Sequence, residues 1–348
     1  MDILIVKLSA IGDVIHTLPA LNAIRKHYAD ARITWLVEED ASGLIAGHPA
    51  LDRIIVSGRK RWARGILRGK CLKTIRESYR FVKALRDTHY DLIIDFHGLL
   101  KSGLLIGLSK GKRKIGFGKG MEHAEYSYLF LNERVPAVDM ETHALTRNMM
   151  LLKALGIPAD EVEYRLPVGE HDQRVAAELL GRSSAERSKP LVAINPVAKW
   201  ATKLWSSAKF AELADRLIGE HDARIVFTGS QSDCESIARI GSLMKAEICN
   251  LAGETDLKTL AALYERSDVV IVTDTGPMHL AAAVGTPVVA LFGSTAPWRT
   301  GPFGNGHQIL RVGLECSPCF RRQCSSIECM EKISVERVLN GVRELGIL

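Results

Sequence analysis

Residues 269–293 read VVIVTDTGPMHLAAAVGTPVVALFG. Val269 to Val272 form a continuous apolar run of strand length, and the run ends in Asp274-Thr275-Gly276. A helix is expected to open at Pro277, because a proline in the first turn lacks an N–H that would have had no helical partner there. Such a junction suits an anion. The helix N-terminus presents free backbone N–H groups and the positive end of its dipole, and Gly276 lets a phosphate come close to the backbone. The same pattern also describes an ordinary strand-to-helix turn in an α/β protein.

A matching junction lies at the other end of the chain, where residues 3–19 read ILIVKLSAIGDVIHTLP. Ile3 to Lys7 read as a buried strand, Leu8 to Gly12 as a small-residue loop, and Asp13 as the start of a helix running to about Tyr28. The loop lacks the GxGxxG spacing of a dinucleotide fingerprint. Asp13 has two readings. As an N-cap it stabilises the helix by about 1 kcal/mol. At the carboxyl end of the first strand of an open parallel sheet it also lies where such sheets place their ligands, which suits a general base.

Three segments together, KLSAIGDVIHTLPAL from Lys7, KLW at Lys203 to Trp205, and TDTGPMHLAAAVGTPVVALFG from Thr273, resemble glycosyltransferase family 9, the ADP-heptose:lipopolysaccharide heptosyltransferases. The resemblance runs from Ile3 to about Val335. It implies an α/β fold of two Rossmann-like doubly wound domains facing a cleft (GT-B), with the donor nucleotide on the C-terminal domain and the acceptor on the N-terminal one. It implies an inverting transfer of heptose from an ADP-sugar donor to an anionic lipopolysaccharide core acceptor, with Asp13 as general base. Lys203, otherwise a surface lysine, would lie against the donor diphosphate and offset the charge on the leaving group. Asp274 would accept from donor sugar hydroxyls, and Thr275 and Gly276 would donate backbone N–H groups. His279, one turn into the helix, leans toward the phosphates or packs. Thr228, Gly229 and Ser230 resemble the nucleotide loop, with Asp233 or Glu235 accepting from the ribose, and Leu251 to Thr255 resembles the segment bordering adenine. A related transferase with another nucleotide sugar or acceptor, and a non-catalytic nucleotide-sugar-binding protein, are the competing readings.

Composition fits a two-domain globular enzyme: 348 residues, 47% hydrophobic and 25% charged. No window reaches the roughly 18 to 20 apolar residues of a membrane span, and the start carries no basic leader, so a cytoplasmic protein is expected. Net charge is +6. It is unevenly placed, since Arg53 to Lys119 hold 18 Lys or Arg against 4 acids and the remainder is net acidic. This asymmetry predicts an anionic partner on one side, unless it only decorates a solvated surface. No nucleic-acid recognition module accompanies it; an acidic sugar acceptor, or peripheral contact with an inner membrane surface rich in acidic lipid, fits better. Candidate acceptor-binding residues are Arg59 and Arg61 in the Arg59-Lys60-Arg61 run, and His97 and Lys101 after the strand DLIIDF. Where first-heptose transferases carry a further basic residue, an ungapped reading puts His123, a departure that leaves the acceptor sugar open.

The alternation of strands and helices predicts two parallel sheets. Strands are expected at Ile3 to Lys7, Ile33 to Val37, Ile54 to Ser57, Leu92 to Phe96 and Lys114 to Phe117, then at Leu191 to Asn195, Arg224 to Thr228, Glu247 to Leu251, Val269 to Thr273 and Pro287 to Phe292. The boundaries expected are an acceptor domain over 1–165, a linker over 166–189, a donor domain over 190–334, and a C-terminal helix over 335–348 packing back on the first domain. Four of seven cysteines fall at Cys316, Cys319, Cys324 and Cys329. Their spacing suits a structural zinc, a reduced thiol cluster or a redox role. No Asp-x-Asp or His cluster near the donor residues calls for a catalytic cation, so no cofactor is expected for the chemistry.

Overall fold

The computed structural model describes residues 1–121, 126–181 and 188–348; His123 lies outside the described residues. The chain divides into two compact units, Met1–Pro167 and Val168–Leu348.

In the first unit the strands are β1 (Asp2–Val6), β2 (Arg32–Glu38), β3 (Arg53–Ser57), β4 (His89–Asp95), β5 (Lys110–Phe117) and β6 (Glu133–Val135). They form one sheet in the order β3-β2-β1-β4-β5-β6. Every pairing is parallel. This is the doubly wound order with its switch point beside β1. The central strands are buried on both faces and so read as uninterrupted apolar runs: Ile3, Leu4, Ile5 and Val6 have no exposed surface. The single helix expected from Asp13 to Tyr28 is two helices, Ile11–Ile15 and Leu18–His27. Pro19 has no N–H for the Ile15 carbonyl, which breaks the ladder at that point. Asn148 closes the gap, donating to the His16 carbonyl at 3.0 Å and to Thr17 Oγ1 at 3.1 Å.

The second unit contains β7 (Leu191–Asn195), β8 (Arg224–Phe227), β9 (Val269–Thr273), β10 (Val288–Phe292) and β11 (Gln308–Arg311), in the order β11-β10-β9-β7-β8. Its pairings are also all parallel. The strand expected at Glu247 to Leu251 is reduced to a single parallel bridge between Phe227 and Asn250. It still occupies the place beside β8, held by Phe227 N–H to the Cys249 carbonyl at 2.8 Å and Leu251 N–H to the Phe227 carbonyl at 2.9 Å.

One boundary expectation changes. Within 166–189 a helix forms at Glu170–Leu180. It packs against the helix Leu257–Glu265, so the stretch is largely part of the second unit. The C-terminal helix Val335–Glu344 packs on β10, β11 and the helix Ser207–His221. Val335, Val338, Leu339 and Val342 are buried at spacings of three and four, and this stripe completes the core of the second unit.

Candidate active site

The first unit gathers its polar side chains at the carboxyl ends of β1, β2 and β4. Asp13 is not the N-cap. It is the third residue of its short helix, and its Oδ2 accepts the Ala10 N–H at 2.9 Å. The carboxylate therefore does serve the helix start. Its Oδ1 faces Lys7 Nζ at 3.8 Å. Lys7, at the exit of β1, is buried and donates to the Phe96 carbonyl at 2.9 Å, tying the ends of β1 and β4 together.

Asp95, the last residue of β4, was not foreseen. Its carboxylate accepts from the His97 N–H at 3.0 Å, the Gly98 N–H at 3.1 Å and Ser102 Oγ at 3.1 Å. Burial pushes its pKa up to about 6 against these donors and the Lys7 charge. The bonds hold the loop that carries His97. Both ring nitrogens of His97 are buried without a hydrogen-bond partner. Burial first, then the Lys7 and Lys101 charges, depress its pKa to about 3, so the imidazole is neutral. A cavity of about 380 Å³ opens here, lined among others by Lys7, Asp13, Asp95, His97, Arg147 and Asn148.

Glu38, at the end of β2, is the second residue missed. It is buried, and three cations converge on it: Arg59 at 3.2 Å, Lys60 at 3.5 Å and Lys101 at 3.5 Å. Lys101 also donates to Ser9 Oγ at 3.0 Å. Arg59 and Lys101 thus converge on one carboxylate. Arg61 does not join it. Its guanidinium pairs with Glu39 at 2.7 Å and with Glu77, because the residue turns to the other side of the helix Arg59–Leu67.

In the second unit Lys203 and Asp274 meet. Lys203 ends a short turn, Ala201–Lys203, after β7, and its Nζ lies 2.6 Å from Asp274 Oδ2 at the end of β9. The same carboxylate oxygen accepts from Thr295 Oγ1 at 2.5 Å, and Lys203 Nζ lies 4.5 Å from the centre of the Trp200 ring. The helix after Asp274 is Gly276–Ala283, with Thr275 as an N-cap whose side chain makes no capping bond. Pro277 has no N–H and the Met278 N–H donates to the Thr275 carbonyl at 3.1 Å, while the start of the helix follows directly on Asp274, and helix starts of this kind favour anions. His279 is buried within that helix.

The remaining nucleotide-loop candidates have structural tasks. Thr228 is fully buried, its hydroxyl 3.0 Å from Tyr264 Oη and 3.2 Å from Asn195 Nδ2. A side chain at Gly229 would press on Ile237 at 2.8 Å. Asp233 accepts from the Ser230 N–H at 2.8 Å. Glu235 has 93% of its side chain exposed, 4.0 Å from Arg239 on its own helix, and converges with none of these groups.

The cysteine loop buttresses the lysine turn. Ser317 Oγ donates to the Gly293 carbonyl at 2.6 Å, and the Cys319 and Phe320 N–H groups donate to the Ser294 carbonyl at 3.0 and 2.8 Å. Thr202, beside Lys203, donates to the Arg321 carbonyl at 2.6 Å, and Arg322 lies 5.2 Å from the Trp200 ring centre. Burial, then the neighbouring Cys319, Cys316 and Cys324, push the Cys329 thiol up. Among the described residues no three Cys, His or acidic side chains form a group able to hold a metal ion.

The family model for glycosyltransferase family 9 (heptosyltransferase) matches residues 78–329, well over half of the chain. The chain belongs to glycosyltransferase family 9. The lipopolysaccharide core heptosyltransferase OpsX of Haemophilus influenzae is 28% identical over 99% of this chain and 96% of its own. Lipopolysaccharide heptosyltransferase 1 of Pseudomonas aeruginosa is 30% identical over 93% and 88%. Among solved structures, a family 9 glycosyl transferase from Veillonella parvula superposes with a TM-score of 0.82 at 23% identity, covering 99% of this chain and 96% of that one. Escherichia coli heptosyltransferase WaaC with ADP gives 0.78 at 24% identity, covering 99% and 100%. The fold of this family 9 enzyme is accordingly that of the GT-B transferases, and no helix among its described residues is long and apolar enough to cross a membrane.

The family 9 assignment leaves the state of His97 to direct measurement. Its folded pKa lies below the unfolded value of 6.5, so on acidification the unfolded chain takes up the proton first. The stability contributed by a neutral His97 is fully present above about pH 6.5 and is lost as pH falls toward about 3. Proton NMR of the ring, assigned with His97→Gln, should show no titration of His97 above pH 4. A midpoint near the ordinary histidine value would contradict the desolvated, cation-flanked ring.

Proposed function

We propose that this glycosyltransferase moves a heptose from ADP-heptose to the inner core of lipopolysaccharide, with inversion at the anomeric carbon and Asp13 as general base. The observation that supports the substrate class most is the near-full-length similarity to proteins described as lipopolysaccharide core heptosyltransferase and lipopolysaccharide heptosyltransferase 1.

In this reading the acceptor sugar enters the cavity of the first unit. Its hydroxyl attacks the anomeric carbon from the face opposite the diphosphate and passes its proton to Asp13. The bond from the anomeric carbon to the diphosphate oxygen breaks, and the electron pair leaves with ADP. The Ala10 N–H and Lys7 hold the base in place. The cations Arg59, Lys60 and Lys101, collected by Glu38, attract an acidic acceptor. His97, neutral and without a protein partner on either ring nitrogen, offers one donor and one acceptor to sugar hydroxyls.

On the donor side, Lys203 and the N–H groups opening the helix Gly276–Ala283 stabilise the departing diphosphate. Asp274 holds Lys203 until the diphosphate competes for it, and its carboxylate is then available to donor hydroxyls. Thr228, Gly229 and Glu235 bind no donor group directly in this account. The first two shape the strand ends beside the nucleotide.

Two substitutions separate these roles. Asp13→Asn should lower turnover by about 10² to 10⁴ while ADP affinity stays within a few fold. Lys203→Ala should weaken ADP, measured by calorimetry, by about 1.5 to 3 kcal/mol, the worth of a charged hydrogen bond. Near-normal turnover of Asp13→Asn would reduce Asp13 to a helix-start residue, and unchanged ADP affinity of Lys203→Ala would remove the lysine from the donor site.

A further inference from the structure

Residues 59–86 hold eleven Lys or Arg and one acid, Glu77. They form two helices, Arg59–Leu67 and Cys71–Arg86. The pair is a hairpin. The helices touch closely at Gly65, where a Cβ would lie 2.5 Å from Thr74 Oγ1, and Gly69 turns the chain with a φ of +72°.

The first helix buries no residue, and the second buries only Thr74, Phe81 and Leu85 on its inner stripe. On the opposite stripe, Leu72, Ile75 and Tyr79 recur at three- and four-residue spacing, with Arg76 and Lys83 on the same face. Leu67 and Leu72, which flank the turn, are each 86% exposed, and Ile75 and Tyr79 are 65% and 68% exposed. Large aliphatic side chains so fully presented to water at a hairpin tip have no role in the core. Arg59, Lys60 and Arg61 are held by carboxylates at the base of the hairpin. Arg64, Arg68, Lys70, Arg76, Arg80 and Lys83 make no ion pair among the described residues; Arg68 and Lys70 sit in the turn between the two leucines, and the others lie along the same two helices.

We propose that this hairpin docks the protein on an anionic phospholipid surface, with Leu67 and Leu72 entering the headgroup boundary and the surrounding cations lying over acidic headgroups. Charge complementarity selects this occupant, because a second copy of so cationic a face would repel the first. An amphipathic helix with Lys and Arg beside its apolar stripe binds in this way through buried apolar area and attraction to anionic lipid. The inference rests on the hairpin alone and not on the transfer chemistry.

Sedimentation of the full chain with phosphatidylcholine vesicles, with and without phosphatidylglycerol, tests it in the absence of substrate. Binding should require phosphatidylglycerol and weaken with salt. The double change Leu67→Ser and Leu72→Ser should reduce partitioning about tenfold or more. Arg68→Gln and Lys70→Gln should each reduce it about fivefold. All four side chains are exposed, so unaltered thermal melting serves as the folding control. A wild-type chain that stays in the supernatant with anionic vesicles would overturn the proposal. So would variants that pellet like wild type, or leucine variants that lose self-association instead of vesicle binding.

Discussion

Every pairing in both sheets is parallel, so all strands of a sheet end at the same edge. That constraint gathers residues far apart in sequence into one polar rim. In the first unit it brings together Lys7 from β1, Glu38 from β2, and Asp95 with His97 from β4. In the second it brings Lys203, after β7, onto Asp274, after β9. The strands themselves can be almost wholly apolar because helices cover both faces. The polar chemistry is then confined to the strand ends and the first turns of the helices that follow.

Buried charges at these rims are affordable only as networks. Glu38 is almost fully buried yet faces three cations, and Asp274 is buried against one lysine and one hydroxyl. Pairing offsets the desolvation of each group, and removing one partner strands the other. The same logic gives a binding site its response to ligand. In the proposed function a diphosphate replaces Asp274 as the partner of Lys203, and an acidic sugar shares the cations around Glu38.

Much of this was legible in the amino-acid sequence, where local signals are strong. Apolar runs marked β1, β7 and β9, and Asp-Thr-Gly-Pro marked the start of the helix Gly276–Ala283. That Lys203 and Asp274 lie at one sheet edge was legible too, but their direct ion pair was not. Less was legible where tertiary context decides. Glu38 and Asp95 are ordinary acids in sequence, and only their position as the last residues of parallel strands could have singled them out. Arg61 looks equivalent to Arg59 until helical geometry turns it toward Glu39 and Glu77. β6 and β11 have three and four residues and no apolar alternation. Glu235 fits the spacing of a ribose acceptor but points to solvent. The apolar stripe of the C-terminal helix shows that it packs, not on what, and the β10 and β11 surface is what receives it.

The central claim is heptosyl transfer with inversion by a base on the first unit. Its most direct test is the product formed from ADP-heptose and a defined core lipid lacking heptose, identified by mass spectrometry and by NMR of the new anomeric centre. The account predicts addition of one heptose with the anomeric configuration opposite to that of the donor, and its near loss with Asp13→Asn. Retention of the donor configuration, or transfer only from a different nucleotide sugar, would contradict it.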